Sequence, residues 1–147
     1  MTLLHMSLPQ YDRSAYYILD RETHALVVVP MLQWSRFWAD IGSCRVAETF
    51  FSRTRGVQIS ADEAWAELRT HSVTRLFSVG DSDTIFVSTV FLGIDHNFAF
   101  EGPPVLFETM VFGGNAHEYQ RRSCTWDEAM SVHAEAVQLV KEGLGIS

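Results

Sequence analysis

Cysteine, proline, lysine and long apolar runs are all scarce in this 147-residue chain. The two cysteines, Cys44 and Cys124, form no Cys-x-x-Cys pair. The spacing leaves a disulfide open, and two thiols in a reducing cytoplasm are the simpler expectation. The longest apolar run, Ala25 to Leu32, falls far short of the roughly 20 residues that a membrane span needs. The start, Met1-Thr2-Leu3-Leu4-His5-Met6, has no basic residue, and Pro9, Gln10 and Asp12 soon cut the apolar character short. No secretory leader is expected there, and the chain is expected to be cytoplasmic with no membrane partner. No Gly-Lys-Ser/Thr follows Gly113-Gly114, no serine sits in a Gly-x-Ser-x-Gly elbow, and there is no His-Glu-x-x-His. Phosphate-loop, serine-hydrolase and zincin chemistry are therefore unsupported, and no cofactor is implied.

The cations are ten arginines and Lys141 alone, against 18 acidic residues, for a net charge of −7. This balance argues against direct nucleic-acid binding, which calls for a basic footprint. The charge is uneven. Residues 1–60 carry a net +1 and residues 61–147 a net −8. With 47% hydrophobic and 12% aromatic residues, the chain has ample material for a core. Its length fits one domain, and no linker or repeat divides residues 1–147.

Hydrophobic periodicity sets the expected elements. Tyr16–Leu19 and His24–Val29 read as a hairpin around Asp20-Arg21-Glu22-Thr23. Pro30 then suits a first helical turn, and 31–41 puts Leu32, Trp34, Phe37, Trp38 and Ile41 on one stripe, with Gly42 as the stop. Residues 45–53 read as a strand. Ser60-Ala61-Asp62-Glu63 is a capping-box pattern opening a helix to about Arg69. Residues 73–79, 84–94 and 105–112 read as strands, the middle one apolar on both faces. Thr125-Trp126-Asp127-Glu128 is a second capping box. The helix it opens carries Trp126, Ala129, Met130, His133, Ala136, Val137 and Val140 on its apolar stripe, and Gly143 is the expected stop. Short connections favour antiparallel pairing, so the expected fold is α+β, a mainly antiparallel sheet of about five to six strands with three helices packed on it.

One polar cluster interrupts the apolar C-terminal half: Asp95-His96-Asn97, then Glu101 and Glu108. Asp95 and His96 lie just past a central strand, where a rigid sheet passes residues to a loop. Glu108 shares a strand face with Leu106, Met110 and Phe112, so burial would raise its pKa unless His96, Arg75 or His117 served as partner. Asp95, His96 and Glu108 could form an acid–base, ligand or metal site. The blander alternative is a capped turn, a bonded histidine and a carboxylate paired with arginine. His117, Cys124 and His133 have poor zinc spacing, and His133 reads as a core histidine bonded to a neighbour.

The run Ser88-Thr89-Val90-Phe91-Leu92-Gly93-Ile94-Asp95-His96 is followed by Pro103-Pro104-Val105-Leu106-Phe107-Glu108-Thr109-Met110-Val111-Phe112-Gly113-Gly114 and then Thr125-Trp126-Asp127-Glu128-Ala129. Together these resemble a family of small uncharacterised bacteriophage and prophage proteins. The resemblance spans Val87 to His133, departs at Cys124 where an aromatic is expected, and is longer over residues 50–80. It implies a phage-derived protein in the host cytoplasm, and it singles out Asp95, His96, Glu108 and His133. The leading expectation is a non-enzymatic interaction module whose partner is a host or phage protein, a class that includes counter-defence proteins. The alternative is a small enzyme or nucleotide-binding protein with a pocket at Asp95, His96 and Glu108. The hairpin edge at Tyr16–Val29 could also pair with a second copy to give a homo-oligomer.

Overall fold

A computed structural model of the chain describes residues 11–70, 83–99 and 101–147. The fold is α+β, and the described residues form three α-helices and two antiparallel sheets. The larger sheet has five strands: β3 (Arg45–Ser52), β4 (Val57–Ile59), β5 (Thr84–Phe91), β6 (Phe107–Phe112) and β7 (Gln120–Ser123), in the order β4-β3-β5-β6-β7. The smaller pairs β1 (Tyr16–Leu19) with β2 (Leu26–Val29). The helices are α1 (Met31–Ala39), α2 (Ala61–Thr70) and α3 (Trp126–Leu144). Among the described residues, no helix is long and apolar enough to cross a membrane.

The period-2 geometry of strands divides the larger sheet into two faces. On one, Ile85, Val87, Thr89 and Phe91 of β5 lie beside Phe107, Thr109 and Val111 of β6, all buried. Helix α3 covers this face with Ala129, Val132, His133, Ala136 and Val140, the spacing of one helical stripe. Two fully buried alanines, Ala129 and Ala136, stand on that stripe, and their small side chains let the helix approach closely. Phe51, Phe91, Phe107 and Leu106 are fully buried, each contributing about 1.5–3 kcal/mol of transfer free energy. On the other face, Phe50, Phe86 and Phe112 stack across β3, β5 and β6 with ring centroids 4.7 and 5.4 Å apart. Trp65 of α2 packs edge-on against the first two.

The small sheet joins the segment that follows β5, where Tyr16 and Ile94 form an antiparallel bridge. Tyr17 N–H donates to the Gly93 carbonyl (2.8 Å), and Ala15, Tyr17 and Leu19 pack with Phe91, Leu106, Phe107 and Ala129. His24, with φ at +58°, lays its ring on Trp126 at 3.8 Å and thereby ties the hairpin loop to the start of α3.

Several sequence expectations change at element ends. Gly42 does not stop α1: the Asp40 carboxylate accepts from Gly42 N–H (3.0 Å), ends the helix at Ala39, and a 3-10 turn over Ile41–Cys44 follows. Leu32, expected on the inward stripe, is 64% exposed, because only the Trp34, Phe37 and Trp38 side of this short helix meets the body. Met130 is likewise exposed at the flank of α3. Gly143 lies inside α3. The stop is Gly145, left-handed at φ +70°, where the Gly145 and Ile146 N–H groups satisfy the Glu142 and Lys141 carbonyls. The Thr125 capping box forms on both sides. At Ser60 the hydroxyl accepts from Glu63 N–H, while the Glu63 carboxylate pairs with Arg55. Strands β5 and β6 are shorter than expected, and β4 and β7 are additional. The expected strand at 73–79 lies outside the described residues. No disulfide joins Cys44 to Cys124.

Gly93 leaves no room for a side chain. A methyl group there would lie 2.5 Å from Trp38 Nε1 and 2.8 Å from Trp34 Nε1, and its φ is +73°. Gly93→Ala is therefore expected to cost about 2–4 kcal/mol, strain and overpacking combined. Gly102, at φ +78° with nothing within 4 Å of its would-be methyl, provides the control. Gly102→Ala should cost about 1 kcal/mol. Urea unfolding of the two variants measures the difference, and equal losses would show that the tryptophan contact does not matter.

Candidate functional site

The segment after β5 is a tightly bonded loop. Asp95 is its anchor, with a side chain only 2% exposed. Its Oδ2 accepts from Arg13 Nη1 at 2.5 Å, and its Oδ1 accepts from the N–H groups of Asn97 (2.8 Å) and Val105 (2.9 Å). Arg13 continues to the Gly102 carbonyl (2.7 Å). Asn97 donates from Nδ2 to the carbonyls of Glu101 and Pro103 and accepts from Ala99 N–H. Such Asx bonding replaces the ladder contacts that the loop backbone has given up. Burial alone would raise the Asp95 pKa, but the guanidinium and two N–H donors outweigh it and hold the carboxyl below its ordinary value.

Glu108 stands on β6, on the sheet face away from α3, opposite Arg122 of β7. Its Oε1 accepts from Gln120 Nε2 (2.6 Å) and Arg122 Nε (2.9 Å). Burial again pushes upward, and the Arg122 and Gln120 bonds with the nearby His96 prevail, lowering the pKa. The partners are thus two residues of β7, rather than His96 or His117 by direct bond. Arg75 lies outside the described residues, and His117 Nδ1 meets the Gly114 carbonyl instead. His96 is fixed through its backbone, donating N–H to the Val105 carbonyl (2.9 Å), and its ring meets Phe98 edge-on at 6.0 Å. The Arg122 guanidinium lies 6.0 Å from the Phe98 ring centroid. Phe98 is itself 71% exposed.

His133 is on the opposite face of the sheet, 7% exposed beneath α3. Its Nε2 meets Thr49 Oγ1 (2.9 Å) and its Nδ1 meets Thr89 Oγ1 (2.8 Å), which in turn meets Thr109 Oγ1 (2.7 Å). Three strands supply one hydroxyl each, and these satisfy a ring that would otherwise be a costly intrusion into the core. Burial lowers the His133 pKa, and no charged group is bonded to it.

Asp95 is bonded to Arg13 and Asn97 and Glu108 to Arg122, only His96 and Arg122 of these lie against the Phe98 ring, and His133 belongs to a separate hydroxyl network. No group of three or more metal-ligating side chains assembles among the described residues. Two hollows of about 260 and 440 Å³ open elsewhere, the first between the 113–116 turn and the end of α3, the second between β7 and α3. Sequence reasoning missed Phe98, Arg13 and Arg122. The signal for Phe98 was an aromatic directly after Asp95-His96-Asn97, whereas Arg122 needed the β6–β7 register, which the short and polar β7 hid. Compared with family models, curated proteins and solved structures, the chain matches none.

His133 gives the fold an acid dependence of definite sign. Its folded pKa lies below the ordinary value of 6.5, so the unfolded chain binds the proton more readily. Its contribution is complete above 6.5 and is lost as pH falls toward the folded value. The urea midpoint should drop between pH 7.5 and 5.5, and His133→Gln should remove part of that drop while lowering stability at pH 7.5. An unchanged slope in the variant would exclude His133 as the source.

Proposed function

We propose that the chain is a non-enzymatic interaction module of phage or prophage type, acting in the host cytoplasm on a host or phage protein, with the Phe98 loop as its point of contact. The observation that carries this reading is a large aromatic side chain, 71% exposed, on a loop held by the buried Asp95. An apolar group presented from an ordered loop loses little entropy when a partner covers it. Aromatic and arginine side chains dominate binding hot spots, and Arg122 lies against the Phe98 ring. The resemblance over Val87–His133 supports the phage setting. The net −8 charge of residues 61–147 suits a basic partner surface.

The alternative, an enzyme or nucleotide-binding pocket at Asp95, His96 and Glu108, has less support. Both Asp95 oxygens and Glu108 Oε1 are already engaged by partners within the fold.

The test begins with capture of partners from phage-infected cells and continues with affinities of the purified pair. Phe98→Ala should weaken binding at least about tenfold without moving the thermal midpoint. Asp95→Ala should lower both affinity and stability, since it frees the loop and strands Arg13. Raising the salt should weaken the complex. Full affinity in the Phe98→Ala variant would refute the assignment of the contact.

A further inference from the structure

We infer that the outer edge of β7, with the flank of α3 beside it, is a docking groove for an extended, basic segment of another protein, which adds to the sheet as a sixth strand. This groove adjoins the Phe98 contact at Arg122 and is inferred independently of it. Among the described residues β7 pairs only with β6, which leaves its other side as a sheet edge. Bonds from Val111 N–H to the Tyr119 carbonyl and from Leu106 N–H to the Ser123 carbonyl, both 3.1 Å, turn the main chain of the odd-numbered residues toward β6. Alternation then turns the N–H and C=O groups of Gln120 and Arg122 outward. Strand addition uses such a row of donors and acceptors, and side chains at alternate positions supply selectivity.

The edge runs along a hollow of about 440 Å³, walled by Arg121 and Ser123 on the strand and by Glu128, Ser131 and Glu135 on the helix. Ser123 is 6% exposed, and its hydroxyl has no hydrogen-bond partner among the described residues. A buried hydroxyl left without a partner is costly, so the packing along this edge is incompletely bonded as it stands. Charge selects the occupant. Arg121 is paired with Glu135 (2.6 Å) and Arg122 with Glu108 (2.9 Å). The acidic side chains of Asp127 and Glu128 then leave the lining with negative charge in excess. Along an added strand, residues facing α3 would meet these carboxylates, and the alternate residues would lie beside Gln120 and Arg122 on the other side of the sheet, where Arg122 meets the Phe98 ring. The fitting segment therefore alternates basic and apolar side chains.

The probe is a capped hexapeptide alternating lysine and valine, titrated into the full-length chain and followed by amide shifts and fluorescence anisotropy. The amides of Gln120 and Arg122 should shift most, and affinity should fall as salt rises. The matching glutamate–valine peptide should bind at least about tenfold more weakly, a loss expected for misplaced charge. N-methylation of alternate peptide amides should abolish binding in one register and spare it in the other, because only one set faces β7. Ser131→Trp, at an exposed position, should fill the groove and eliminate binding while leaving the thermal midpoint in place. The inference is overturned if the peptide leaves the Gln120 and Arg122 amides unmoved, if shifts centre on Leu26 and Val28 of the β2 edge, or if both methylated registers bind alike. It is equally overturned if Ser131→Trp binds normally, or if sedimentation shows β7 already paired with a second copy.

Discussion

The antiparallel pairing of β5 with β6 is the constraint on which the molecule rests. Six residue pairs, from Phe86–Phe112 to Phe91–Phe107, fix which side chains face α3 and which face away. A slip by one residue would exchange the two sets, driving Glu108 and Ser88 under the helix and expelling Val87, Phe91 and Val111. The same pairing brings Thr89 beside Thr109 so that both can serve His133. It also starts the loop that ends on Asp95 and returns at Val105. Both polar arrangements in the C-terminal half are therefore set by one register.

Those two arrangements solve different problems. Under α3 a ring with two nitrogens is accommodated by neutral hydroxyls, so no charge is buried and the cost is confined to acid pH. In the loop a carboxylate is nearly buried, and a guanidinium with two main-chain donors keeps it ionised. The first arrangement makes the core specific. The second makes a loop behave like part of the sheet, which is why an exposed phenylalanine can be held in one place.

Legibility in the sequence followed burial. The strands with β-branched and aromatic residues on both faces, 84–91 and 107–112, were readable from composition, and α3 from its stripe and its Thr125 cap. Their adjacency was expected because they are consecutive, with ten residues between the expected spans 84–94 and 105–112. Elements without an apolar signal were hidden: Gln120–Ser123 is polar at every position, and Val57–Ile59 is only three residues long. Terminal glycines misled for a local reason, since an aspartate side chain can end a helix before a glycine does, as Asp40 does before Gly42. Asp95, His96 and Glu108 stood out as polar residues within an apolar region. The sequence held no clue that their bonding partners would be Arg13, 82 positions upstream, and Arg122 on a strand with no pattern.

The stacking of His24 on Trp126 and the bond of Thr49 to His133 both join early segments to α3, which follows all seven described strands. During synthesis the ribosome delivers α3 after the whole sheet, and until then Phe51, Val87, Phe91 and Val111 have no cover. The nascent chain must carry this oily surface through the period when association with other chains is easiest. Until α3 closes over the sheet its core face stays open, and the stacking of Trp126 on His24 accompanies that closure.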